Sequence, residues 1–160
     1  MKTLKVLVLL LASFLLSGGC NRGTGPGAAE EKIGIHKDVP PHGGTPVALG
    51  DDYNIELVRD PETGTLSGYV LDDEMEDFIR SSSPSITILA TVNGNTQTLV
   101  LEAVANLATG ESAGNTSFFQ TQADWLKTTG NFDGVLQEIN IRGTKFAEVK
   151  FNFPKGTGEE

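Results

Sequence analysis

The stretch Pro41–Asp72, PHGGTPVALGDDYNIELVRDPETGTLSGYVLD, constrains the fold most strongly, because its apolar residues recur with a period of two that no helix gathers onto one face. Tyr53, Ile55 and Leu57 point one way and Asn54 and Glu56 the other, as in a half-buried strand. A glycine turn at Gly50 precedes this run. After it, Asp60-Pro61-Glu62-Thr63-Gly64 pairs a proline of fixed φ with a glycine that accepts a positive one, so the chain reverses into Thr65–Asp72. Three strand-like runs in succession make this the first sheet of a β domain.

The same signals continue downstream. Asn93-Gly94 separates two β-rich runs, Ser85–Val92 and Thr96–Val104, and is the sequence signature of a two-residue hairpin. Phe78 and Ile79 form a brief strand after the acidic run Asp72–Asp77, and Ser81-Ser82-Ser83-Pro84 ends it. Asn106–Thr116 is loop by composition, Ser117–Gln120 leaves it as a strand, and Gln122–Lys127 has helix formers for barely two turns. Val135, Ile139 and Ile141 share a face. Ala147, Val149, Phe151 and Phe153 alternate with Glu148, Lys150 and Asn152, which predicts a last strand with one dry side. About eight or nine short strands and at most one short helix point to an all-β antiparallel sandwich of immunoglobulin-like size, with a small barrel as the alternative.

At the start of the chain, Lys2 and Lys5 precede an apolar run, Val6–Leu16, followed by small residues up to Cys20. A run this short of the ~20 residues that cross a bilayer reads as a signal peptide. LLSGGC resembles the lipobox of bacterial lipoproteins, with Ser17 where that family usually has leucine. The resemblance implies that residues 1–19 are removed and that Cys20 is acylated as the new N-terminus. It also implies a chain facing the periplasm, with Asn21 favouring the outer over the inner membrane.

Residues 20–32 then form a lipidated start and a Gly- and Ala-rich tether that holds the domain roughly 20 Å from the lipid. Residues 33–154 form one β domain, and 155–160 a polar, fraying tail. Cys20 is the single cysteine, so no intrachain disulfide forms. The formal charge of −9 becomes more negative once Lys2 and Lys5 are lost. Such a balance argues against nucleic acid and against charge-driven docking on anionic lipid. Membrane contact is expected through the lipid alone.

Candidate chemistry is sparse. His36 and His42 are the two histidines, and imidazole is the commonest nitrogen ligand for Zn and Cu. Pro40 and Pro41 lie between them and hold the backbone extended, which places them roughly 19 Å apart at ~3.1 Å per residue unless the loop folds back. Asp38, Asp51, Asp52 and Met75 are the further ligand candidates. The opposing reading is that His42 caps the first strand by hydrogen bonding. The run Asp72–Asp77 offers oxygen ligands without EF-hand spacing and reads as a solvated turn.

No nucleophile elbow, phosphate loop or free thiol is present, so an enzyme is not expected. Phe118, Phe119, Trp125 and Phe132, with Phe146, Phe151 and Phe153, are either core or the lining of a ligand groove. Trp125 is the groove candidate, because it lies in a loop-like segment.

Pro41-His42-Gly43-Gly44, with Leu49-Gly50, Tyr53, Glu56-Leu57-Val58 and Tyr69-Val70-Leu71-Asp72, resembles the small N-terminal β domain of periplasmic heavy-metal efflux adaptor proteins. AVANLATGE, ADWLK and FDGVL are similar to segments in a group of uncharacterised bacterial lipoproteins. The first resemblance implies a periplasmic β domain linked to metal handling. Only His42 falls on its shared element. Asp73-Glu74-Met75 stands where relatives often carry a histidine, and the coiled-coil, lipoyl-like and membrane-proximal parts of an adaptor are missing. The expectation is a non-enzymatic, lipid-anchored binding or accessory module, in metal homeostasis or efflux. The alternatives are a structural envelope lipoprotein that contacts other proteins, and a hydrolase whose site is assembled only in space.

Overall fold

A computed structural model describes residues 39–157. Eight strands account for most of them: β1 Thr45–Leu49, β2 Tyr53–Asp60, β3 Thr65–Asp72, β4 Ser85–Val92, β5 Asn95–Ala103, β6 Phe118–Gln122, β7 Phe132–Ile141 and β8 Thr144–Phe153. A single 3₁₀ turn, Asp124–Lys127, lies between β6 and β7. The all-β antiparallel class expected from the periodicity is therefore the observed one. Among the described residues no helix is long and apolar enough to cross a membrane.

All eight strands belong to one sheet, in the order β1-β2-β3-β6-β5-β4-β7-β8. The hairpins β1–β2, β2–β3, β4–β5 and β7–β8 follow the turn chemistry directly: Gly50 and Gly64 take φ of +67° and +73°, and Asn93 and Gly94 are both left-handed. The connection from β3 to β4 instead passes over β5 and β6, bringing sequence-distant strands side by side. The sheet curls around one core of Val47, Leu49, Ile55, Leu57, Leu66, Val70, Ile86, Ile88, Leu101, Phe119 and Leu136, all fully buried. A single eight-stranded sheet curled nearly into a barrel is consistent with either the small sandwich or the small barrel expected.

The residues after β8 seal the seam between β1 and β8. Asn152 and Gly156 bond reciprocally through their backbones, Thr45 Oγ1 donates to the Pro154 carbonyl, and Ala48 N donates to Thr157 Oγ1. Gly156 is buried so close to β1 that a Cβ there would run into the Pro46 carbonyl oxygen. Gly156 and Thr157, assigned by composition to a fraying tail, instead cover an open strand edge.

The last hairpin departs from simple alternation. Phe132, Gly134 and Leu136 are buried on β7, but beyond Gln137 the buried residues are Ile139 and Ile141. Opposite Gln137, Glu148 takes φ +55°, and the register continues on either side of it. The kink reverses the inward parity on both strands. Leu136 rather than Val135 therefore enters the core, Ala147 is exposed, and Phe146 packs edge-on against Tyr53 with centroids 5.9 Å apart.

Candidate functional site

Glu56 lies on the outer face of β2, between the inward Ile55 and Leu57, yet is fully buried. Its cover is the loop before β1. His42 N and Gly44 N donate to Glu56 Oε1 at 2.9 and 2.8 Å, and His42 Nδ1 lies 2.8 Å from Oε2. A carboxylate only accepts, so this contact places the proton on Nδ1 and leaves Nε2 as the one uncommitted ring nitrogen.

The two glycines divide the work. Gly43 supplies φ +67° with open space around it, whereas a Cβ on Gly44 would come within 2.7 Å of the Leu57 carbonyl oxygen and 2.8 Å of the Glu56 side chain. One makes the turn and the other permits the close approach. His42 thus bonds to Glu56 on β2 rather than capping β1, the strand it precedes.

Antiparallel pairing sets Pro46, Glu56, Tyr69 and Phe118 in one row across β1, β2, β3 and β6. The His42 ring, folded over Glu56, stacks on Tyr69 at 3.9 Å and 13°, and Tyr69 stacks on Phe118 at 4.8 Å and 11°. Phe78 leans over both His42 and Tyr69, with centroids 5.9 and 6.2 Å away. It is half exposed, which is unusual for a phenylalanine packed on other rings.

Phe78 is presented by the acidic turn. Asp72 Oδ1 accepts the backbone N–H groups of Glu76 and Asp77, Met75 turns inward at φ +58° and is buried, and Leu71 bridges Phe78. Asp72 is thus the acceptor that closes the turn.

Beside these rings lies a cleft of about 380 Å³ with Arg80, Asn106, Thr109 and Glu111 on its far wall. Glu111 is buried; Ser117 N and Oγ donate to its Oε1 at 2.8 and 2.7 Å, and Thr109 Oγ1 to its Oε2 at 2.8 Å. Burial pushes this carboxyl up, but hydrogen bonds from Ser117 and Thr109 and the nearby charge of Arg80 outweigh it and hold the group below its ordinary 4.5. Arg80 donates through Nη2 to the Thr109 carbonyl, and its Nε lies 4.0 Å from Glu111. A hydrogen-bonded loop therefore holds the guanidinium at the lip of an aromatic cleft.

The other candidates are dispersed. Cys20, His36 and Asp38 lie outside the described residues. Asp51 and Asp52 occupy the exposed turn after β1, about 17 Å of strand from the His42 loop at ~3.3 Å per residue. Met75 is buried. Among the described residues no three His, Cys, Asp or Glu side chains are grouped to hold a metal ion. Of the aromatics, Phe119, Phe132, Phe151 and Phe153 are core and Phe118 lines the cleft. Trp125, on the 3₁₀ turn, sits edge-on to Phe132 and lines a separate hollow.

Phe78, Arg80 and Glu111 were not singled out by sequence as site residues. The one local signal was a phenylalanine after six residues of acidic turn, and its neighbours, His42 and Tyr69, come from the loop before β1 and from β3. No protein-family model matches the chain, and neither a curated protein nor a solved structure does.

Proposed function

We propose that this chain is a lipid-anchored envelope protein whose β domain acts as a non-enzymatic binding module, taking a protein partner at the aromatic cleft. The observation that carries this reading is the half-exposed Phe78 over the stacked His42, Tyr69 and Phe118 rings, next to a tethered Arg80. Aromatic residues and arginine in an apolar patch with a polar rim are the composition of protein-interface hot spots. The cleft's rings are already ordered against one another, so docking on them costs little side-chain entropy. Cys20 within its lipobox-like segment supports the anchor. A metal-handling role rests on the adaptor resemblance and on His42 Nε2; among the described residues no grouping of further ligands favours it.

A photo-crosslinking amino acid in place of Phe78 in the full-length exported chain tests the reading, with the same substitution at exposed Thr98 as control. A discrete adduct at 78 that is absent at 98 is expected; no adduct, or equal adducts at both, sinks it. Cys20→Ser is expected to move the chain from the membrane to the soluble fraction.

A further inference from the structure

The start of β5 breaks the rule that the rest of the strand obeys. Asn95, Gln97, Leu99 and Leu101 share the core-side register, since Gln97 pairs with buried Ala90 and Leu99 with buried Ile88. Leu99 and Leu101 are buried as that register demands, but Asn95 and Gln97 are polar amides at positions that elsewhere carry aliphatic residues. Both amides are solvent-exposed at the hairpin tip, so they cost folding nothing and leave their donors and acceptors open to a ligand.

These amides face a hollow of about 430 Å³, within the ~300–1,000 Å³ range of small-molecule sites, with Trp125 as its aromatic wall and Asn93 and Thr96 at its rim. Trp125 is held by its edge-on contact with Phe132. Among the described residues, Asn93, Thr96 and Gln97 make no side-chain hydrogen bond to the protein, and Asn95 makes only a long one, 3.4 Å, to the Asn93 carbonyl. The nearest charges on the 3₁₀ turn, Asp124 and Lys127, pair with each other at 2.8 Å.

We infer that this hollow is a second binding site, for an uncharged glycan. A sugar ring presents C–H groups on one face and hydroxyls around its edge. The first suits an indole face, and the second suits amides, which both donate and accept. The absence of charge from the lining disfavours ionic ligands even though the chain is strongly acidic overall. This inference is independent of the aromatic cleft, because the two sites share no residue.

Trp125 is the single tryptophan, so its emission reports this site alone. The full-length protein in detergent is titrated with chitotetraose and with cellotetraose, neutral β-1,4 glycans with and without acetamido groups. A saturable change in emission with either supports the site, and binding of chitotetraose alone narrows the ligand to N-acetylated sugars. Gln97→Ala, an exposed position, is expected to weaken binding roughly ten-fold, equivalent to ~1.4 kcal/mol, without changing the urea midpoint. No saturable change with either glycan, or unchanged affinity in Gln97→Ala, overturns the inference.

Discussion

The two ends of β5 treat polarity in opposite ways. Near its end, around Glu56, Glu111 and Arg80, charged groups are placed among apolar ones and almost every polar atom is bonded to the protein. At its start, around Asn95 and Gln97, neutral amides occupy a core-side register and remain largely unbonded within the described residues. The first arrangement is internally complete, so its charges build a rigid platform whose free face is aromatic. The second faces solvent, so its hydrogen-bonding groups stay accessible. Buried carboxylates serve architecture here, while the exposed neutral amides are free to meet water or the proposed ligand.

The largest effect that sharpens this contrast is expected from Glu56→Ala. It leaves two backbone N–H groups and the His42 ring without their acceptor and should lower stability by about 2–3 kcal/mol in urea unfolding. An unchanged urea midpoint would break the comparison.

Next comes Gly44→Ala, whose Cβ meets β2 backbone and should cost about 1–3 kcal/mol through overpacking. Gly43→Ala meets nothing and should cost only the ~1 kcal/mol of a left-handed non-glycine residue. Equal losses at both would refute the division of labour between the glycines.

Glu111 gives the pH dependence. Its folded carboxyl lies below the ordinary 4.5, so its contribution is present above that value and is lost as pH falls through the lower folded value. Glu111→Gln should flatten the stability profile in that acid window and leave the neutral-pH slope unchanged, as read from urea midpoints.

Phe78→Ala should have the smallest effect on stability, within about 0.5 kcal/mol for a half-exposed side chain, while abolishing partner capture at the cleft. A large loss of stability there would make Phe78 part of the core rather than of a docking surface.

Strand positions were legible because their signals are local. Period-two alternation exposes Ile55 and Leu57, and Pro61-to-Gly64 and Asn93-Gly94 determine their turns through φ alone. Alternation failed where backbone geometry intervened: the left-handed Glu148 shifts the inward parity of β7 and β8, and no residue type there announces it. The site was mostly illegible. His42 was visible as a histidine before two glycines, but Glu56 read as an ordinary outward residue, because what buries it is a loop a dozen positions earlier. Arg80 and Glu111 carry no local signal, and only the path of the β3-to-β4 connection sets them around one cleft.

By itself, then, the sequence determined an acidic, antiparallel β chain with a lipobox-like start, since composition, alternation and turn chemistry act over a few residues. Only the tertiary structure decided that Glu56 is a buried anchor, that Tyr69 and Phe118 stack, and that Asn95 and Gln97 share the register of the core leucines. Those outcomes depend on which strands become neighbours, and strand order is settled by long-range pairing that no local pattern encodes.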